Sequence, residues 1–186
     1  VEDTLLDMRS LNPHGRFVHL YLNGVYWGQY DCREMLVEPF LADYLGGSKE
    51  DYVVVRGNDN VGDDFVIGAP EPPDIQPWER VLALRQSYAA VRPYLDVPHL
   101  IDFMLLWNYG NAESEFRACG PLAAGSGFKF WLADADGFLR TSAMGLNRTG
   151  RRGPGDLFGS LATENHPDFK ALLADRIYRH CYNNGA

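Results

Sequence analysis

The sequence feature that most constrains the fold is residues 17–30, where two apolar runs with alternating side chains flank Asn23 and Gly24. Asn-Gly between such runs is a strong signal for a β-hairpin, because both residues adopt positive φ at low cost, as a type I′ turn requires. Gly28 in the returning run indicates a β-bulge or a close approach to the backbone. The chain is therefore expected to contain antiparallel sheet.

Later segments add strands and helices, so the predicted fold class is α+β. A β-branched run over residues 52–56 predicts a strand that ends at Arg56. Asp96 and Pro98 suit the N-cap and first turn of a helix whose following residues are apolar on nearly all sides, which indicates a buried helix. Apolar stripes at helical spacing predict the remaining helices, at residues 37–45, 78–91, 156–161 and 167–182.

A strand that ends in two carboxylates is predicted over residues 128–137. Asp134 and Asp136 are two residues apart, so in extended chain their side chains point to the same side, and Gly137 then allows the backbone to turn. Carboxylate oxygens suit a hard cation such as Mg²⁺. Asp and Gly also favour ordinary turns, so the motif alone leaves a metal site and a solvated turn both open.

Two further places could carry polar chemistry. The buried helix ends near Gly110, and Asn111 and Glu113 follow, so these residues either enter a cleft or cap a helix end in solvent. Arg56 could clamp a phosphate with its forked donors or could be a solvated strand end.

Composition restricts the class of protein. Apolar residues make up 46% of the 186 residues, enough for a core in one domain or one and a half. A net charge of −8 argues against nucleic acid as a partner, and no apolar run is long enough to predict a transmembrane segment. The first residue is Val1, which predicts a fragment of a longer protein. The thiols of Cys32, Cys119 and Cys181 are expected to be reduced, with one disulfide as the alternative.

Taken together, four motifs resemble the CotH kinase family, the spore-coat-protein-H-like atypical protein kinases. They are FVHLYLNGVYWGQY at residues 17–30, DVPHLIDF at 96–103 with NYGN at 108–111, FKFWLADAD at 128–136, and PDFKALLADRIYRH at 167–180. The resemblance extends from about residue 12 to the last residue of the chain. The hairpin motif and the Asp-x-Asp strand, in their correct order, are its most specific parts.

The resemblance implies a divergent protein-kinase-like fold, with an antiparallel hairpin sheet and a mostly helical C-terminal part. Residues 1–186 would then form a partial kinase domain, strand-rich over 1–66 and mainly helical over 67–186, where the Asp-x-Asp strand lies. The implied activity is the transfer of a phosphoryl group from ATP, with Mg²⁺, to Ser or Thr of a protein substrate. The sequence itself does not specify a compartment, and the resemblance implies a secreted protein or one on a cell or spore surface.

Five residues match functional positions of that family. Asp134 matches its metal-binding Asp, and Asp136 lies in the same motif. Glu113 stands where the family has a catalytic Asp, Arg56 where it has a phosphate-facing Lys, and Asn111 falls in its nucleotide-binding segment. Because Glu113 adds a methylene to a group that needs accurate placement, the resemblance also allows a catalytically inactive nucleotide-binding or scaffold module. An unrelated α+β binding domain is a third reading.

Overall fold

The computed structural model describes residues 2–57, 65–67, 75–110, 115–123, 127–132, 138, 139, 145, 147, 154, 156–182 and 185. These residues form a mixed α and β structure, which confirms the α+β class. The described helices are α1 Glu2–Asp7, α2 Glu38–Leu45, α3 Gln76–Leu84, α4 Tyr88–Val91, α5 Val97–Tyr109, α6 Leu157–Glu164 and α7 Pro167–Cys181. The described strands are β1 Gly15–Leu22, β2 Val25–Arg33, β3 Tyr52–Gly57, β4 Phe65–Ile67, β5 Phe116–Pro121 and β6 Lys129–Leu132.

Strands β1 and β2 form the predicted hairpin. Asn23 and Gly24 have φ values of 50° and 80°, as a type I′ turn requires. Leu20 pairs with Gly28 but Tyr21 pairs with Tyr26, so the returning strand contains one extra residue. Gly28 has a φ of 136° next to this irregularity, which confirms the predicted bulge.

The other four strands form one antiparallel sheet in the order β4-β3-β5-β6. Residues 116–121 were not expected to be a strand, yet β5 is central and pairs with both β3 and β6. Two strands of this sheet precede residue 68 and two follow residue 115. The sheet therefore includes strands from both predicted parts of the chain, 1–66 and 67–186.

Both faces of this sheet are buried. Phe130 and Val55 belong to the larger core, which also contains residues of α3 to α7. Trp131 and Val54 point to the opposite face, where they belong to a smaller core with Phe40 of α2. The strand predicted from residue 128 onward is therefore confirmed over Lys129–Leu132, where successive side chains face the two cores in turn.

Helix α5 is the buried helix that the sequence predicted. The Asp96 carboxylate accepts the backbone N–H of His99 at 3.0 Å, which confirms its role as N-cap, and Pro98 lies in the first turn. Leu100 and Ile101 are fully buried. A cap and an apolar surface on nearly every side are sufficient to place such a helix in the core.

Two details of the other helices differ from expectation. The single helix predicted over residues 78–91 is divided into α3 and α4, because the backbone is extended at Ser87 and the Tyr88 N–H is donated to the Glu164 carboxylate at 2.5 Å. The apolar stripe that predicts a helix at residues 167–182 includes Phe169 and Tyr178, but in α7 Phe169 is buried whereas Tyr178 is 63% exposed.

The three cysteines carry free thiols, with Cys119 buried and Cys32 and Cys181 exposed. Within the part of the chain that the structure describes, no helix is long and apolar enough to cross a membrane.

Candidate functional site

Of the five residues predicted for the site, the structure describes one. Arg56 lies at the end of β3 and is described. Asn111, Glu113, Asp134 and Asp136 lie outside the described residues. For these four residues, the structure gives the positions of the residues that flank their segments in the chain.

Arg56 forms an ion pair with Glu115, the residue just before β5. Its Nε and Nη2 both donate to one carboxylate oxygen of Glu115, and each side chain is a little over one third exposed. A pair that is this accessible to solvent contributes roughly 0–1 kcal/mol, so it can rearrange at little cost. Arg56 is therefore an ion-paired strand end and not a bare solvated one.

The first contact that relates segments 111–114 and 133–137 lies in the four-stranded sheet, beside one end of each segment. Strands β5 and β6 pair Phe116 with Leu132, so the residues before β5 and after β6 leave the sheet at the same end. This is also the end of β3 where Arg56 lies, because Arg56 pairs in register with Arg117.

A second contact joins the same two segments at their other ends. The Leu139 N–H donates to the Gly110 carbonyl at 2.7 Å, at the end of α5. The Phe138 ring lies so close to Gly110 that a Cβ atom there would overlap it. The segments that carry Glu113 and Asp134 are thus bracketed by contacts on both sides.

Three side chains fix the position of α5 relative to β6. Lys129 forms an ion pair with the N-cap Asp96. The Nδ1 atom of His99 accepts the Phe130 N–H at 3.2 Å, so the ring proton of a neutral His99 is on Nε2. Burial lowers the pKa of His99 to about 4, which keeps the ring neutral near pH 7.

Arg117 is a residue that the sequence analysis did not identify. It lies opposite Arg56 on the sheet face that α2 covers, and its Nη1 donates to the Leu36 carbonyl at 2.9 Å. Its Nε is buried and has no hydrogen-bond partner in the part of the chain that the structure describes. A buried donor without an acceptor costs about 1–3 kcal/mol, and more for a charged group. The only sequence signal was an Arg inside a short apolar segment.

A second polar cluster that the sequence did not reveal joins α5 to α7. Asp102 is 2% exposed and accepts hydrogen bonds from Nε and Nη2 of Arg176. The His180 Nε2 lies 3.3 Å from the same carboxylate, and burial lowers the pKa of His180. One acid inside the apolar run of 100–107 was the available signal, because a buried charge requires a partner.

No group of three or more His, Cys, Asp or Glu side chains that could hold a metal ion occurs among the described residues. Searches of protein-family models, of curated proteins and of solved structures each find no match for this chain. The functional argument therefore depends on the chain's own residues.

Proposed function

We propose that this chain is a CotH-like atypical kinase module that transfers the γ-phosphoryl group of ATP, with Mg²⁺, to Ser or Thr of a protein substrate. The observation that carries the proposal is a pair of contacts between the residues that flank segments 111–114 and 133–137. One contact is the Phe116–Leu132 strand pair, and the other is the Gly110–Leu139 hydrogen bond. A divergent protein-kinase-like fold is part of the same proposal, and the α+β architecture is compatible with it.

Chain connectivity supports the clustering of the five residues. Asn111 directly follows Gly110, and Glu113 is two residues from Glu115, the partner of Arg56. Asp134 is two residues from Leu132, and Asp136 is two residues from Phe138. Two residues span at most roughly 7 Å, so the Cα atom of each of these four residues lies within that distance of the described residue named with it.

Each residue has a proposed role. The carboxylate oxygens of Asp134 and Asp136 fit Mg²⁺, which takes oxygen ligands and would neutralise charge on the phosphates. Glu113 accepts the proton of the substrate hydroxyl. Arg56 and Asn111 bind the nucleotide, Arg56 by exchanging the carboxylate of Glu115 for a phosphate oxygen.

A second candidate function is a catalytically inactive nucleotide-binding or scaffold module. The observation that favours it is the Arg56–Glu115 pair, because a cation already neutralised by a carboxylate attracts phosphate less strongly. Under this reading ATP and Mg²⁺ bind but no phosphoryl group is transferred.

The melting temperature of the full chain, measured with ATP and Mg²⁺ and with ATP and a chelator, tests the nucleotide site. A ligand that binds only the native state raises the apparent melting temperature. We expect an increase that requires both ATP and Mg²⁺. No increase at millimolar ATP would contradict both candidate functions.

A further inference from the structure

A cleft of about 170 Å³ lies between the base of the hairpin and the end of the four-stranded sheet. Its lining includes Arg33 and Met35 from one side and Arg117 and Trp131 from the other, with Leu36 between them. We call it the Arg117 cleft. Pockets that enclose a whole drug-sized ligand or cofactor are usually about 300–1,000 Å³, so this cleft suits only the end of such a molecule.

Arg117, which lines the cleft, carries a buried hydrogen-bond donor that is not used. Nη1 of Arg117 donates to the Leu36 carbonyl, whereas the buried Nε–H has no acceptor among the described residues. Buried polar atoms in native proteins nearly always have a partner, so an unpaired guanidinium N–H needs an explanation. An acceptor bound at this guanidinium would supply one.

The Glu34 carboxylate, which belongs to the cleft lining, already accepts hydrogen bonds from residues outside that lining. One Glu34 oxygen accepts the His14 N–H at 2.9 Å, and the other accepts the Tyr44 hydroxyl at 2.9 Å. The His14 N–H and the Tyr44 hydroxyl lower the pKa of Glu34, so this group stays ionised and bound to them. Arg33 in turn forms an ion pair with Asp31.

The register of the sheet places a second positive charge near Arg117. Arg56 and Arg117 are directly opposed across β3 and β5, on the same face. Like charges in directly opposed positions destabilise a sheet, and Glu115 offsets the charge of Arg56 alone. Among the described residues, Arg117 forms no ion pair with a carboxylate, although the buried Glu38 lies near enough to act on Cys119 together with Arg117.

We propose that the Arg117 cleft binds an oxyanion, a phosphate or carboxylate group, through the guanidinium of Arg117. The group enters as the charged end of a small or extended ligand, with Trp131 and Leu36 forming the apolar wall around it. This site uses different residues from the proposed kinase centre and requires neither ATP nor Mg²⁺. Guanidinium donors match the planar geometry of carboxylate and the tetrahedral oxygens of phosphate.

The test measures binding of inorganic phosphate and of acetate to the full chain by thermal shift, at constant ionic strength and without nucleotide. Wild type and the control R92Q, which removes an exposed arginine elsewhere, should be stabilised equally. R117M should bind at least tenfold more weakly, and R117K should be intermediate because it keeps the charge but loses the fork. A preference for phosphate or for acetate identifies which oxyanion the cleft takes.

A second measurement separates a binding role from a structural one. Without added anion, the urea midpoint of R117M should stay close to that of wild type, because the substitution removes the unpaired Nε–H as well as the Nη1 hydrogen bond to the Leu36 carbonyl. A clearly lower midpoint would mean that Arg117 serves the fold, and the proposal would be wrong. An anion effect that persists in R117M, or that wild type lacks with both anions, would also overturn it.

Discussion

The hairpin and the four-stranded sheet both contain strands with large aromatic side chains, but these side chains have opposite environments. In the hairpin, Phe17 is 72% exposed and Trp27 is 61% exposed. In the sheet, Phe130 and Trp131 are adjacent residues on opposite faces, and both are buried. Local sequence therefore specifies that a strand forms, whereas what covers the strand depends on distant residues.

The largest effect that this comparison predicts comes from removing one aromatic side chain in each region. Phe130 is fully buried and adjoins the rings of Phe103 and Phe116, so Phe130→Ala should lower the free energy of unfolding by about 3–5 kcal/mol. Trp27→Ala, in the hairpin, should change it by less than about 0.5 kcal/mol. Urea titrations measure both, and a similar loss in the two variants would contradict the division into buried sheet and exposed hairpin.

The next effect is the pH dependence of stability through His99. Its pKa is lowered from 6.5 to about 4, so the unfolded chain binds the proton more strongly than the folded one. The stabilisation is fully present above pH 6.5 and is lost as the pH falls toward 4, by about 3 kcal/mol at most.

Substitutions of His99, in α5, and of His19, in the hairpin, test this pH dependence. Urea midpoints between pH 7 and pH 4 should decline less steeply in His99→Gln than in wild type. His19→Gln, in the exposed hairpin, should follow wild type. An unchanged profile in His99→Gln would mean that other groups, with His180 the first to examine, cause the acid sensitivity.

A smaller effect is expected where the end of α5 meets the segment after β6. Gly110 has a φ of −76°, which alanine adopts easily, so any cost of Gly110→Ala comes from overlap with Phe138. We expect a loss of about 1–3 kcal/mol. A double-mutant cycle with Phe138→Ala should give a coupling energy above about 0.5 kcal/mol, and additive losses would show that the two residues do not touch.

Prediction from sequence succeeded where local chemistry decides the structure. The hairpin follows from Asn23 and Gly24, and α5 from Asp96 and its apolar surroundings. Strand β5 was missed because Arg117, Cys119 and Gly120 interrupt the apolar pattern that identifies strands. Its place in the sheet is specified by pairing with β3 and β6 instead.

For the candidate site, sequence reasoning named residue types but not their partners. It left Arg56 either as a phosphate ligand or as a solvated strand end, and the partner Glu115 depends on a strand that was not foreseen. The pairing of Asp102 with Arg176 joins residues 74 positions apart, which no local pattern reveals. Such long-range ion pairs require the fold before they can be recognised.

The measurement that tests the central claim most directly is transfer of radiolabelled γ-phosphate from ATP, with Mg²⁺, to a Ser/Thr peptide library. Wild type and Asp43→Asn, which removes an exposed carboxylate from α2, should label the library equally. Asp134→Asn should abolish labelling while its circular dichroism spectrum matches wild type. Full labelling by Asp134→Asn would contradict the metal assignment, and no labelling by wild type would contradict the kinase activity.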